Sequence, residues 1–345
     1  MVARYIAGRL LAAIPILVGV TLITFLLMHF TAGNYVPGLD QNPNLTAADL
    51  ARIRATLGLD QPLPVQYLNW IGAADLLRVI GLGGLFGHHP VAPGLLEGDL
   101  GRSVTDGSPV LSQILTRLPQ TLELTVTAIL IGIAIAIPLG VASALRRGTK
   151  VDAALTALAV TGFAVPQFWL GLVLILVFSV GFHRAGLPSL PSGGAVSAFG
   201  GGDVLDRVAH IIMPALVLSF FYLSTWSRFV RSGMIEVLSQ DYVRTARAKG
   251  MSDRRVLYVH ALRNAIAPLI TLVGLELPGV VSGAVIVEVV FGWPGIGLFA
   301  YQRAIAFDYT TVMGTTTFAA ILVVAANLLA DLLYVAADPR VRFRT

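Results

Sequence analysis

The sequence predicts an all-α integral membrane protein with six transmembrane helices. Three observations lead to this fold class: a strongly apolar composition, six long apolar runs, and an uneven distribution of Lys and Arg. Of the 345 residues, 56% are hydrophobic and 12% are charged, and the mean hydropathy is +0.79. Since a soluble domain carries roughly 25% charged residues, the composition excludes an ordinary soluble enzyme and a densely basic nucleic-acid-binding protein. The absence of cysteine excludes disulfides and thiolate metal sites.

Six apolar runs are the candidate transmembrane helices. A helix that crosses a bilayer core of about 30 Å needs roughly 20 apolar residues. The runs cover residues 10–30, 124–145, 153–182, 211–227, 264–287 and 309–330. The third run is long enough to tilt or to kink at Pro166. A cleaved signal peptide is the alternative for the first run, but its apolar stretch exceeds the usual length and no small-residue cleavage site follows cleanly.

The basic residues indicate the orientation, because Lys and Arg concentrate on the cytoplasmic side of membrane proteins. With a cytoplasmic N-terminus, 16 of the 24 basic residues fall on that side: Arg4, Arg9, Arg146, Arg147, Lys150, Arg228, Arg231, Arg244, Arg247, Lys249, Arg254, Arg255, Arg263, Arg340, Arg342 and Arg344. The expected organisation is an N-terminal transmembrane helix at 1–30, a sizeable extracytoplasmic region at 31–119, a five-helix core at 120–337 and a cytoplasmic tail at 338–345. Both termini are then cytoplasmic.

The loop at residues 228–263 is the most informative segment. It is too polar to cross a membrane, yet its apolar residues recur at helical spacing. One helix should end at Gly250, and Ser252 should begin another. Small residues at the bend, Ala246, Ala248 and Gly250, would let another protein approach closely. The alternative is that the basic residues only set the topology and bind lipid head groups.

The same loop carries a family resemblance. Asp241-Tyr-Val-Arg-Thr-Ala-Arg-Ala-Lys-Gly-Met-Ser252 resembles the cytoplasmic coupling loop of ABC importer permeases, and in particular that of the dipeptide/oligopeptide permease family. Ala246 and Gly250 match the last alanine and the glycine of the E-A-A pattern, whereas Arg244 and Thr245 replace its first two residues. Four further stretches resemble the same family in order, namely Leu57-Gly-Leu-Asp-Gln-Pro-Leu-Pro64, Gly98-Asp-Leu-Gly-Arg-Ser103, Val287-Glu-Val-Val-Phe-Gly-Trp-Pro-Gly-Ile-Gly297 and Asp338-Pro-Arg-Val-Arg342.

The resemblance implies a type I ABC importer permease fold and half of a translocation pathway for di- or oligopeptides. It also implies a bacterial or archaeal plasma-membrane location and four kinds of partner: a second permease subunit in a heterodimer, two ABC ATPase subunits, an extracytoplasmic solute-binding protein and membrane lipid. Nucleic acid is not an expected partner. The sequence has no G-x-x-x-x-G-K-[ST] phosphate loop, so ATP and Mg would be used by the ATPases, and this chain is expected to bind no cofactor. The expected ATPase-coupling residues are Arg244, Thr245, Ala246, Arg247, Ala248, Lys249, Gly250, Met251 and Ser252.

Two acids are candidates for the translocation pathway, because acids within membrane spans are usually functional. Glu276 lies in the middle of the fifth run and would meet the amino terminus of a peptide; the alternative is a structural contact to a neighbouring helix or subunit. Glu288 lies at the outer end of that run, where fixing the Trp293-Pro-Gly turn is the favoured alternative. No set of residues indicates catalysis or a metal site.

The sequence bears on three rival functions: it does not separate the first from peptide import, and it argues against the second and third. Importers of nickel, glutathione and other small solutes share these motifs. A stand-alone secondary transporter would need ion-relay acids within several spans and usually more helices. An intramembrane enzyme would need a nucleophile and a base at membrane depth, and the sequence offers neither.

Overall fold

The computed structural model describes residues 2–32, 46, 48, 60–73, 94–198, 201–266, 269, 272–273 and 284–337. Within these ranges the chain is almost entirely helical and contains no β-strand. Arg102 and Pro109 form an isolated antiparallel bridge. The predicted all-α class is therefore confirmed for this part of the chain.

Within the described residues, ten helical elements are numbered in chain order. They are α1 (Val2–Ala32), α2 (Leu63–Trp70), α3 (Val110–Leu145), α4 (Lys150–Ala164), α5 (Gln167–Arg184), α6 (Val204–Leu238), α7 (Asp241–Ala248), α8 (residues 253–265), α9 (Ile296–Ile305) and α10 (Tyr309–Ala337). Two of these elements contain π-helical segments, which are Ile175–Gly181 within α5 and Val256–Leu262 within α8. A short 3₁₀ turn at Leu95–Glu97 precedes α3.

Among the residues that the structure describes, five helices are long and apolar enough to cross a membrane. They lie at Ile6–Phe30, Val110–Leu145, Gln167–Arg184, Val204–Leu238 and Tyr309–Leu332. Each overlaps one of the predicted runs. Most of the remaining run, 264–287, lies outside the described residues, so the count of six stays a prediction.

Pro166 divides the third predicted run into two helices. Helix α4 ends at Ala164, and Val165 is extended with φ −88° and ψ 120°. Proline disfavours the helical conformation of the residue before it, and α5 begins directly after Pro166. The predicted kink is confirmed, but only α5 is long and apolar enough to count as a span.

The chain forms two compact units. The first comprises Met1–Pro119 and Phe299–Leu322. Within it, Tyr67 and Trp70 of α2 pack around Phe25 of α1 with ring centroids 5.5 and 6.4 Å away. The buried carboxylate of Asp308 accepts hydrogen bonds from the Ser103 hydroxyl at 2.6 Å and from the amide of Val104 at 3.1 Å. This carboxylate fixes the segment before α3 to the start of α10.

The second unit comprises Gln120–Leu298 and Val323–Thr345, and α6 runs through its core. Trp226 is fully buried and stacks on Tyr222, with the two ring centroids 5.0 Å apart. Fifteen residues of α6 are buried, more than half of them apolar. Gly162 of α4 meets the Ser224 side chain of α6 so closely that no side chain would fit there. Apolar residues of α3 and α8 complete this core. The segment that follows α6 is therefore packed against the core through α8.

Candidate functional site

The candidate site is a helical hairpin that follows α6. We call residues 241–265 the hairpin: α7, a turn at residues 249–252, and α8. The predicted order of helix, sharp turn and second helix is confirmed. Helix α6 does not stop at the predicted membrane boundary but continues to Leu238, so only residues 239 and 240 separate it from the hairpin.

The turn of the hairpin needs the glycine that the sequence places there. Gly250 has φ +78°, a left-handed conformation that glycine adopts without steric cost. The Gly250 amide donates to the Arg247 carbonyl at 2.9 Å, and the Met251 amide donates to the Ala246 carbonyl at 3.3 Å. These two bonds define a Schellman motif, which satisfies the last carbonyls of α7. Ser252 directly precedes α8, at the N-cap position, but its side chain makes no capping hydrogen bond.

The interior of the hairpin is small and apolar. Val243, Ala246 and Val256 are buried against one another, and Met251 packs on them from the turn. The small size of Ala246 therefore serves the close packing of α7 on α8. The expected close approach of a partner protein at Ala246 stays a prediction.

The outer face of the hairpin is polar, basic and exposed. Its exposed residues in the predicted coupling segment are Arg244, Thr245, Arg247, Ala248, Lys249, Gly250 and Ser252. The Nη1 atom of Arg244 lies 3.6 Å from Oδ1 of Asp241. The Nε atom of Arg247 lies 3.6 Å from Oδ1 of Asp253. Such exposed ion pairs contribute little to stability. Their cost of rearrangement is equally small, which suits a surface that contacts another molecule.

A second charged site, which was not predicted from the sequence, lies near the C-terminal end of α6. The side chain of Asp152, at the start of α4, binds Arg231 of α6 through both of its oxygens, with N–O distances of 2.8 Å. Hydrogen bonds from Arg231 and then from Ser143 hold the pKa of this carboxyl well below its usual range, so it is charged at neutral pH. The only sequence signal is the pattern Thr149-x-x-Asp152, in which Thr149 caps α4.

Glu288 lies in a third cluster, where it holds a turn. Its carboxylate is fully buried and accepts hydrogen bonds from the Thr121 hydroxyl at 2.8 Å and the Leu298 amide at 2.9 Å. Gly295 approaches the carboxylate so closely that a Cβ there would collide with it. The Trp293 indole donates to the Gln120 carbonyl at 2.9 Å. These contacts favour the turn-fixing alternative for Glu288.

The other candidate acid, Glu276, lies outside the described residues, as does its neighbour Pro278. Within the part of the chain that the structure describes, no group of three His, Asp or Glu side chains is placed to hold a metal ion.

Comparison with known proteins identifies the family. Residues 136–343 match the family model described as binding-protein-dependent transport system inner membrane component, and residues 1–125 match the model of the N-terminal region of such components. The chain is 39% identical over 342 residues to the oligopeptide transport system permease protein AppB of Bacillus subtilis (strain 168), covering 99% of this chain and 100% of that protein. It is 36% identical over 362 residues to the dipeptide transport system permease protein DppB of Escherichia coli (strain K12), with 99% of each chain covered.

Among solved structures, a chain of the MetNI methionine ABC transporter in an inward facing conformation has a TM-score of 0.52. The match covers 66% of this chain and 98% of that chain at 17% identity, so it bears on the fold alone. The structural match shows the fold, and the family models and full-length relatives show the family. The chain therefore belongs to the family of binding-protein-dependent transport system inner membrane components and is a multi-pass permease subunit of an ABC importer in the inner membrane.

Proposed function

We propose that this subunit forms half of the translocation pathway of an ATP-driven peptide importer. Support for a peptide substrate comes from relatives that match over their whole length and are named as oligopeptide and dipeptide permeases. An unsatisfied amide in hydrocarbon costs several kcal/mol, so a peptide needs a polar route through the membrane. Import of nickel, glutathione or another small solute by the same machinery is the alternative substrate class.

The proposed partners are a second, homologous permease subunit, two ABC ATPase subunits and an extracytoplasmic solute-binding protein. ATP and Mg would act in the ATPases, because the chain contains no phosphate-loop motif of its own. Membership of the permease family supports this division of labour. The rival from a different class is a stand-alone secondary transporter.

The observation that carries the proposal is the geometry of the hairpin. It is rigid, since a Schellman turn closes it and a buried apolar cluster fills it. It also projects exposed basic and small residues, among them Arg247, Lys249 and Gly250, away from that cluster. Binding to lipid head groups requires positive charge but no defined turn. A defined docking surface requires both, and for this reason we assign the hairpin to contact with the ATPases.

The proposed topology has six spans, with both termini and the hairpin in the cytoplasm. The distribution of Lys and Arg supports this orientation. The sixth span would come from residues 264–287, which also carry Glu276, the acid that we propose for the substrate pathway. A substrate contact of Glu288 stays a prediction, and the contacts of its buried carboxylate support the turn-fixing role instead.

Replacement of Gly250 tests the coupling role of the hairpin. Gly250→Arg adds charge and volume at an exposed position with φ +78°, and we expect a cost of about 1–3 kcal/mol in docking, or roughly ten- to hundred-fold weaker binding. Gly186→Arg is the matched control. Gly186 is also exposed, has φ +68° and, like Gly250, has nothing within 4 Å of an added Cβ, so the backbone strain is similar.

The readouts are co-purification of the ATPases, substrate uptake and substrate-stimulated ATP hydrolysis. All three should fall for Gly250→Arg and remain near wild type for Gly186→Arg. If the two variants behave alike in all three measurements, the hairpin is not the coupling element, and lipid binding becomes the better explanation of its charge.

A further inference from the structure

The carboxylate of Asp152 links three helices near the C-terminal end of α6. Both oxygens of Asp152 accept hydrogen bonds from the Nε and Nη2 atoms of Arg231. The Ser143 hydroxyl, in the last turns of α3, donates to Oδ1, and the Gly148 amide donates to Oδ2 at 3.0 Å. A bidentate pair of this kind fixes the rotation of the two groups as well as their separation. The contacts therefore set the position of α6 relative to the ends of α3 and α4.

The arrangement is sheltered although it lies at the ends of helices. The Asp152 side chain is 8% exposed and that of Arg231 is 31% exposed. Removal of one partner from a sheltered pair leaves an uncompensated charge, which costs more than loss of a surface ion pair. Low exposure to solvent distinguishes this pair from the exposed ion pairs of the hairpin.

Arg231 is connected rigidly to the hairpin. From Arg231, α6 continues without interruption to Leu238, a length of about 10 Å or two helical turns. Val237 and Leu238 pack on the apolar cluster inside the hairpin. At Gly233, an added Cβ would lie 2.8 Å from the Ala265 carbonyl oxygen, so α6 and α8 are in close backbone contact. The end of α6 and both arms of the hairpin thus form one packed body.

We propose that Asp152 and Arg231 are positioning residues that transmit movement of the hairpin to α3 and α4. This inference rests on the proposed coupling role of the hairpin. Apolar packing holds α6 against α3 and α4 but makes no directional bond. The bidentate pair fixes the orientation of α6 relative to α4, and Ser143 ties the same carboxylate to α3. Movement of the hairpin by an ATPase is therefore delivered through α6 to both helices.

The test compares variants in the complete transporter reconstituted with its binding protein. Asp152→Asn removes the charge and keeps the shape, whereas Arg231→Lys keeps the charge and removes the bidentate geometry. Lys150→Gln is the control, since Lys150 is exposed in the same turn of α4. The measured quantity is the amount of a labelled di- or oligopeptide imported per ATP hydrolysed. We expect it to fall by about fivefold or more for Asp152→Asn and Arg231→Lys, the lower end of ordinary coupling free energies, with ATPase co-purification unchanged.

A purely structural role predicts a different result, in which uptake and ATP hydrolysis fall together in proportion to the amount of assembled complex. If Asp152→Asn fails to assemble, Arg231→Lys decides the question. An unchanged import-to-hydrolysis ratio in an assembled variant would overturn the proposal. The charge exchange Asp152→Arg with Arg231→Asp should recover part of the ratio relative to either single replacement; no recovery would count against a pairwise link.

The two proposals fail separately. If Gly250→Arg leaves ATPase docking intact, the coupling role of the hairpin is wrong. If Gly250→Arg breaks docking while Asp152→Asn preserves the ratio, the hairpin is the coupling element but its movement reaches the spans by another route.

Discussion

Single residues show how strongly local geometry constrains this sequence. Gly295 is glycine because the Glu288 carboxylate occupies the space of any larger side chain, and Gly250 is glycine because a Schellman turn needs a left-handed residue. The sequence predicted the second glycine from its place after a helix. It did not predict the buried setting of Ala246, since the residue that faces an alanine depends on how α7 packs on α8.

Glu288 offers a prediction at this scale. Glu288→Ala should lower the free energy of unfolding by about 2–5 kcal/mol, because the Leu298 amide and the Thr121 hydroxyl lose a buried acceptor. Glu288→Gln should cost less, since one oxygen remains. Thermal unfolding of the purified protein measures the effect, with the exposed acid replacement Glu97→Ala as the control. Equal unfolding temperatures for Glu288→Ala and Glu97→Ala would show that the carboxylate does not hold the turn.

At the scale of helices, hydropathy located the spans but not their ends. The predicted run 211–227 is only the middle of α6, which extends from Val204 to Leu238. The flanks contain charged residues that hydropathy assigns to water, yet Arg207 and Arg231 are paired with Glu123 and Asp152. The break at Pro166 was predictable because its cause is local. The π segments have no comparable local signal in the sequence.

The side of the membrane on which each element lies can be tested with two matched replacements. The natural sequence has no cysteine, so Ser192→Cys and Ser252→Cys each introduce a single thiol at an exposed position. Ser192→Cys should react with a membrane-impermeant reagent in intact cells, because it follows α5 on the proposed outer side. Ser252→Cys, in the hairpin, should react only after the cells are opened. Labelling of Ser252→Cys from outside would invert the proposed topology.

At the scale of the whole molecule, short motifs were sufficient to predict the family, because they are contiguous in the sequence. The link between Asp152 and Arg231 was not predictable in the same way, since 79 residues separate the two side chains and only the packing of α4 on α6 brings them together. Family membership therefore came from the sequence, whereas the route from the hairpin to the spans came from the structure.

The central claim is that this subunit imports its substrate with energy supplied by partner ATPases. The most direct measurement is uptake of a labelled di- or oligopeptide into proteoliposomes that contain the complete complex and its binding protein, with nickel and glutathione as competing substrates. The account predicts peptide uptake that requires ATP, and no uptake by vesicles that hold this chain alone under a proton gradient. Proton-driven uptake by the chain alone would contradict the account and establish a secondary transporter.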